Sequence, residues 1–167
     1  WKGVQYILEA YRMLLPEYPG AILVLANAVG NYSADIRSLL RGINPEKVRV
    51  ISFEEDIFAL YKLFDVFVHV PVSSEVEAFG QTYVEALAAG TPSVFTLSGI
   101  AREFIRHRDN ALVVPFKDAG QIYRGVKEIL EDKTLAAGLS ARGYRDVKDK
   151  FGVMRMIREL EALYGNE

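Results

Sequence analysis

Apolar residues recur at Val4, Ile7, Leu8, Tyr11, Leu14 and Leu15. This 3.6-residue period stops at Pro16 and Pro19, and it predicts an amphipathic helix. Residues 21–27, Ala-Ile-Leu-Val-Leu-Ala-Asn, form instead a short continuous apolar run, the pattern of a strand covered on both faces. Ser33 is placed to cap a helix running to about Leu40, and Asn44-Pro45 breaks it before a second strand over residues 48–53. A short helix over about 56–63 leads to a third strand, 66–70. After a loop from Pro71 to Phe79, a helix over about 80–89 stops at Gly90. A fourth strand (93–96), a helix (about 100–107) and a fifth strand (111–114) follow. Asp118 caps a helix carrying Ile122, Tyr123, Val126, Ile129 and Leu130, and two more helical stretches cover about 133–150 and 153–164.

Strands that alternate with helices imply βαβ crossovers, so the expected fold class is α/β with a doubly wound, Rossmann-like parallel sheet. No internal repeat or linker divides the chain. Ligands on such sheets bind beyond the carboxyl ends of the strands, which directs attention to the loops after Asn27, Phe53, Val70, Thr96 and Val114. A length of 167 residues suits one domain and is enough to bury about two thirds of the unfolded surface.

With 20 Lys plus Arg against 22 Asp plus Glu, the net charge of -2 supplies no field to gather a polyanion, so no nucleic-acid partner is expected. The absence of cysteine excludes disulfides, thiol nucleophiles and thiolate metal sites. No apolar run approaches the roughly 18 residues of a membrane span, and nothing at the start reads as a signal peptide. A cytoplasmic location is the expectation. The two histidines have no carboxylate cluster beside them in sequence, and no Asp-x-Asp is present to hold a metal on a diphosphate, so neither metal nor cofactor is expected. His69, inside a strand, reads as a packed or loop-ordering residue, and His107 as a favourable charge at a helix end. Arg142, Arg145, Lys148 and Lys150 alternate with acids and read as a solvated helix face.

Chemistry concentrates between Glu77 and Ala101. From Ala78 to Ala101 only Glu85 would be charged at neutral pH, and its neighbours make the helix apolar nearly all round, which predicts a buried helix. A carboxylate there requires donors, supplied by protein groups or by a hydroxyl-rich ligand. Glu77 stands eight residues earlier, in the loop Glu77-Ala78-Phe79-Gly80-Gln81-Thr82. Backbone N–H groups of Phe79, Gly80, Gln81 and Thr82 lie near the helix start, where the macrodipole favours a phosphate, and Gly80 lets a ligand approach the main chain. The carboxyls of a glycosidase pair lie about 5–9.5 Å apart. Positions eight apart on a helix are about 12 Å apart, so separate roles fit the two glutamates better.

Glu77-Ala78-Phe79-Gly80 followed by Glu85-Ala86-Leu87-Ala88-Ala89-Gly90-Thr91-Pro92 resembles the E-x7-E signature of retaining, GT-B-fold glycosyltransferases of family four. Lys2-Gly3, Asp65-Val66-Phe67-Val68, Ser98-Gly99 with Glu103, and Asn110 to Pro115 match further in the same order. The resemblance spans nearly the whole chain and corresponds to the C-terminal, nucleotide-sugar-binding half. It implies that Glu77 holds hydroxyls of the donor sugar, that Glu85 accepts from the ribose, and that Lys2 neutralises the leaving diphosphate. The amides of Phe79, Gly80, Gln81 and Thr82 would surround sugar and diphosphate, with Gly30 and Phe53 bordering the nucleotide. The usual second glycine of the family's Gly-Gly pair is replaced by Ser98, before Gly99. The family's Arg a few residues before Lys-Gly has no counterpart in the chain.

The implied reaction is retaining transfer of a hexose from a nucleoside diphosphate to an acceptor hydroxyl on a sugar, a lipid-linked sugar or a small molecule. Two alternatives stand beside it: a sugar-nucleotide epimerase of GT-B architecture, and a non-catalytic nucleotide-sugar-binding subunit. No G-x-G-x-x-G or G-x-x-x-x-G-K-[ST] occurs to favour a dinucleotide enzyme or a triphosphatase. In a sheet of order 3-2-1-4-5-6, the resemblance puts the first strand just upstream of Lys2. The five strands would then be numbers two to six, with the central strand and an N-terminal acceptor domain supplied from elsewhere, together with any peripheral membrane attachment.

Overall fold

A computed structural model describes residues 1–26 and 33–165. Asn27 and Gly30 lie outside the described residues, as does the side chain of Ser33. Five strands alternate with helices: α1 (Val4–Leu14), β1 (Leu23–Ala26), α2 (Ser33–Leu40), β2 (Val48–Ile51), α3 (Ile57–Lys62), β3 (Phe67–His69), α4 (Gln81–Ala88), β4 (Ser93–Phe95), α5 (Ala101–Phe104), β5 (Leu112–Val113), α6 (Ala119–Glu131), α7 (Lys133–Phe151) and α8 (Val153–Tyr164). Asp118 caps its helix as expected, accepting from the amide of Gln121, and Asp56 caps α3 in the same way by accepting from that of Ala59. No helix among the described residues is long and apolar enough to cross a membrane.

All strand pairs are parallel, but they form two sheets rather than one, β1-β2 and β3-β4-β5. With the five strands numbered two to six, the break falls where strand one would lie. Both faces of the larger sheet are covered. In β4, Val94 enters a core with Ala10 of α1, Ile122 and Ile129 of α6 and Leu139 of α7, while Phe95 enters another with Tyr83, Leu87 and Val147. In the smaller sheet, residues 21–27 meet the expectation of cover on both faces only in part: Leu25 is buried beneath Leu8, Tyr11 and Ile36, yet Ile22 is 54% exposed.

Helix α1 bridges the break, because Leu8 and Tyr11 pack on β1 while Ala10 packs with Val70 and Val94. Its entry is fixed by Gly3, whose φ of +76° and carbonyl bonds to the amides of Tyr6 and Ile7 start the helix. A Cβ at Gly3 would stand 2.0 Å from the Val70 carbonyl oxygen, so the chain beside Lys2 lies directly against the end of β3.

Most elements end within a residue or so of their expected bounds, but β2 and α5 stop clearly short at their C-terminal ends. Strand β2 stops at Ile51, leaving Phe53 beyond it and 74% exposed. Helix α5 stops at Phe104 because the buried side chain of Asn110 accepts from the Arg106 amide and donates to the Phe104 carbonyl and to Asp146. His107 therefore lies past the helix; its Nδ1 accepts from the Val113 amide, so it orders a turn instead of complementing a helix dipole.

Candidate functional site

The carboxyl end of β3, the loop to α4 and the residues preceding α1 converge on Glu77. One carboxylate oxygen, Oε1, accepts from Lys2 Nζ at 2.6 Å and from His69 Nε2 at 3.0 Å. Among the described residues no donor reaches Oε2. The bond from His69, and after it that from Lys2, overcomes the upward push of burial and holds the Glu77 carboxyl at about 2. Because the group is an anion, it only accepts, and His69 must donate through Nε2–H.

The Glu77 main chain is tied as well. Its amide donates to the buried Ser98 Oγ. The Gly99 amide is taken by the Ser74 carbonyl and that of Ile100 by the Phe79 carbonyl. The Gly99 and Ile100 amides are thus committed to the Glu77 loop, which gives this turn a bracing role.

Helix α4 opens at Gly80, which has φ +89°. The reason for glycine here differs from ligand access: a Cβ would lie 2.7 Å from the Tyr83 ring. Tyr83 is fully buried, donates to the Thr96 carbonyl at 2.8 Å, and so pins the start of α4 to the end of β4. Its amide returns to the Gly80 carbonyl. The amides of Gln81 and Thr82, in the first turn, have no intrahelical acceptor and remain available to an anion.

Glu85 lies one face further along α4 and is half-buried rather than enclosed. Its donors are protein groups: Gln81 Nε2 at 2.8 Å to Oε1 and the Tyr61 hydroxyl at 3.1 Å to Oε2. Burial, and then the charge of Glu85, push the Tyr61 hydroxyl well above its ordinary range, so it stays a donor.

Beside Glu77 opens a cleft of about 350 Å³, bordered by Glu75, Phe79, Gly99, Arg102 and Glu103. Phe79 is half exposed and meets Phe151, at the end of α7, edge-on at 6.0 Å. The structure thus gathers Lys2, Glu77, Phe79, Gly80 and the first-turn amides around one loop, with Glu85 on the adjoining helix. Phe53 lies beyond the end of β2, and Gly30 is outside the described residues.

Sequence reading missed Tyr61 as the partner of Glu85 and His69 as the partner of Glu77. The signal for His69 was its place at the carboxyl end of a strand, where side chains meet the ligand-bearing loops. No cluster of metal-ligating side chains occurs among the described residues.

The profile of the family described as Glycosyl transferases group 1 matches residues 1–146. An uncharacterized glycosyltransferase of Methanocaldococcus jannaschii is 30% identical over 98% of the chain and 41% of its own length. The chain spans about two fifths of the length of such curated relatives. Among solved structures, Anabaena HepE in complex with UDP-glucose superimposes with a TM-score of 0.87 at 20% identity, over 100% of this chain and 46% of that one. The C-terminal domain of the Francisella tularensis glycosyl transferase group 1 protein LpcC superimposes with a TM-score of 0.78 at 24% identity, over 90% of this chain and 80% of that one. These likenesses establish the α/β fold of GT-B glycosyltransferase domains, and the epimerase alternative finds no support in them.

Proposed function

Since the chain belongs to the glycosyl transferases group 1 family, we propose that it is the donor-binding half of an enzyme that moves a hexose from a nucleoside diphosphate to an acceptor hydroxyl with retention. The observation that carries this reading is Glu77: a carboxylate held as an anion through one oxygen, with the other oxygen unbonded among the described residues, at the edge of a cleft and at the foot of α4. Such a group accepts from sugar hydroxyls, and the adjacent Gln81 and Thr82 amides with Lys2 receive phosphate oxygens.

When the bond from the anomeric carbon to the diphosphate breaks, the electron pair stays on the diphosphate. Lys2 and the α4 amides are placed to stabilise that charge. Glu85 accepts from the ribose through the lone pairs that Tyr61 and Gln81 leave, since a carboxylate accepts about four hydrogen bonds. Phe53, beyond the end of β2, would border the nucleotide, and Phe79 and Gly80 would line the sugar and diphosphate. Charge neutralisation by Lys2 and the helix start requires no divalent metal. The acceptor site and further catalytic groups come from an N-terminal domain.

The matched lengths of HepE and of the M. jannaschii relative support a larger enzyme, and the UDP-glucose bound to HepE supports a nucleotide-sugar donor. The test is a panel of nucleotide sugars offered to the intact polypeptide, with the product anomer read by NMR. Transfer with retained configuration that survives a chelator is expected. Inverted product, or activity that magnesium or manganese alone restores, overturns the corresponding part.

A further inference from the structure

Two donors hold Glu77, and they differ in how firmly they are themselves held. The Lys2 side chain is 59% exposed, whereas those of His69 and Glu77 are each 10% exposed. On the reading above, Lys2 has a second task, the diphosphate, and a flexible ammonium shared between two anions follows the stronger charge. His69 has no such freedom. Its backbone lies in β3, with its carbonyl bonded to the Thr96 amide, and its ring sits edge-on to Tyr83 at 4.8 Å and parallel to Phe67 at 6.4 Å.

We propose that His69 is a positioning residue for sugar transfer: its Nε2–H fixes Glu77 through Oε1 while Lys2 moves to the diphosphate, so that Oε2 remains the oxygen offered to the donor sugar. This rests on the donor-site reading of Glu77. The groups facing the imidazole are few. From the α4 loop comes Glu77, with Lys2 behind it; from α4 comes Tyr83, whose hydroxyl is spent on Thr96; from β4 comes the apolar Phe95. Glu77 is thus the single charged partner of the ring among the described residues. The lowered range of the Glu77 carboxyl, for which the His69 bond is the largest cause, agrees with this geometry.

Two substitutions in the intact polypeptide separate the hydrogen bond from the packing. His69→Phe keeps a ring against Tyr83 and removes the donor; His69→Gln places an amide N–H near the Nε2 position. With UDP as the probe of the nucleotide site, both variants should bind within twofold of the wild type. With the UDP sugar that the wild type turns over fastest, His69→Phe should lower kcat at least tenfold, and its activity should fail at higher pH on acidification. His69→Gln should stay within threefold. In spectra of protein carrying ¹³C-labelled glutamate, the Glu77 carboxyl should not titrate above pH 4 in the wild type. Its midpoint should rise by at least one pH unit in His69→Phe.

Equal losses in the two variants would assign the effect to packing and overturn the proposal, as would a His69→Phe enzyme with unchanged kcat and pH profile. Glu77→Gln tells the two readings apart: if it leaves transfer intact, the donor-site reading falls, and if it abolishes transfer while His69→Phe does not, only the role of His69 falls. Should His69→Phe not fold, the wild type still decides through ¹⁵N-imidazole spectra, since a ring carrying its proton on Nδ1 alone is incompatible with donation to Glu77.

Discussion

At the scale of single residues, two carboxylates eight positions apart have opposite surroundings, and their substitutions should separate accordingly. Glu85→Gln should weaken UDP and a UDP sugar alike, by about 1–3 kcal/mol, because ribose is common to both. Glu77→Gln should spare UDP and weaken only the sugar nucleotide. Calorimetric titrations that found the same loss for both ligands in both variants would refute the division. Glu77 also carries a pH signature. Its folded-state carboxyl lies at about 2, below the ordinary 4.5, so its contribution to stability is fully present above about pH 4.5 and is lost as pH falls toward 2. The gap in urea midpoint between wild type and Glu77→Gln should therefore stay constant from pH 7 to 5 and narrow below 4.5. Glu85 was legible as the one acid in an apolar stretch, and Glu77, which has Glu75 beside it, through the E-x7-E resemblance. Their partners were not, since Tyr61 and His69 reach them across 24 and 8 residues, a pairing that only the packed chain supplies.

At the scale of elements, the sequence pattern located each α-helix and strand among the described residues, missed the short 3-10 turn Pro45–Lys47, and otherwise erred at the ends. Period and caps are local signals, so α3, α6 and α7 start where Asp56, Asp118 and Asp132 place them. The end of α5 is a long-range event: Asn110 reaches back to Phe104 and across to Asp146 on α7, and no pattern within residues 100–107 reports it. The same fact makes a prediction. Asn110 is fully buried, and Asn110→Ala would leave the Phe104 carbonyl and the Arg106 amide without that partner. A loss of about 2–4 kcal/mol in unfolding free energy is expected, larger than for substitutions on the solvated face of α7 such as Arg145→Ala. Gly3→Ala should be as damaging for a different reason, because φ is +76° and the added methyl meets a backbone oxygen that cannot swing away. Chemical denaturation of the three variants side by side would check both, and equal midpoints for Asn110→Ala and Arg145→Ala would contradict the account of α5.

At the scale of the whole molecule, the break between the two sheets is the feature with the largest consequence. In a parallel strand the N–H and C=O of one residue point to the same side, and successive residues alternate. Phe67 donates to Pro92 and the His69 carbonyl accepts from Thr96, so these residues face β4. Val66, Val68 and Val70 must then turn their backbone groups to the opposite side, toward the break, where β3 has no strand partner among the described residues. Val70 is buried, and Val66 and Val68 are half-buried, so unpaired groups there would be costly. Val72, next in the alternation, shows how the edge is used, since its amide donates to the Trp1 carbonyl at 3.0 Å. Trp1 already lies where a strand parallel to β3 would end. We predict that in the intact polypeptide the chain leading into Trp1 forms that strand, pairing with Val66, Val68 and Val70 on one side and β1 on the other, and joining the two sheets in the order β2-β1-new-β3-β4-β5. Hydrogen exchange decides it: the Val68 and Val70 amides should be strongly protected in the intact polypeptide and lose that protection in residues 1–167 expressed alone. A fragment that unfolds cooperatively as a soluble monomer, protects those amides equally and transfers sugar unaided would overturn the prediction.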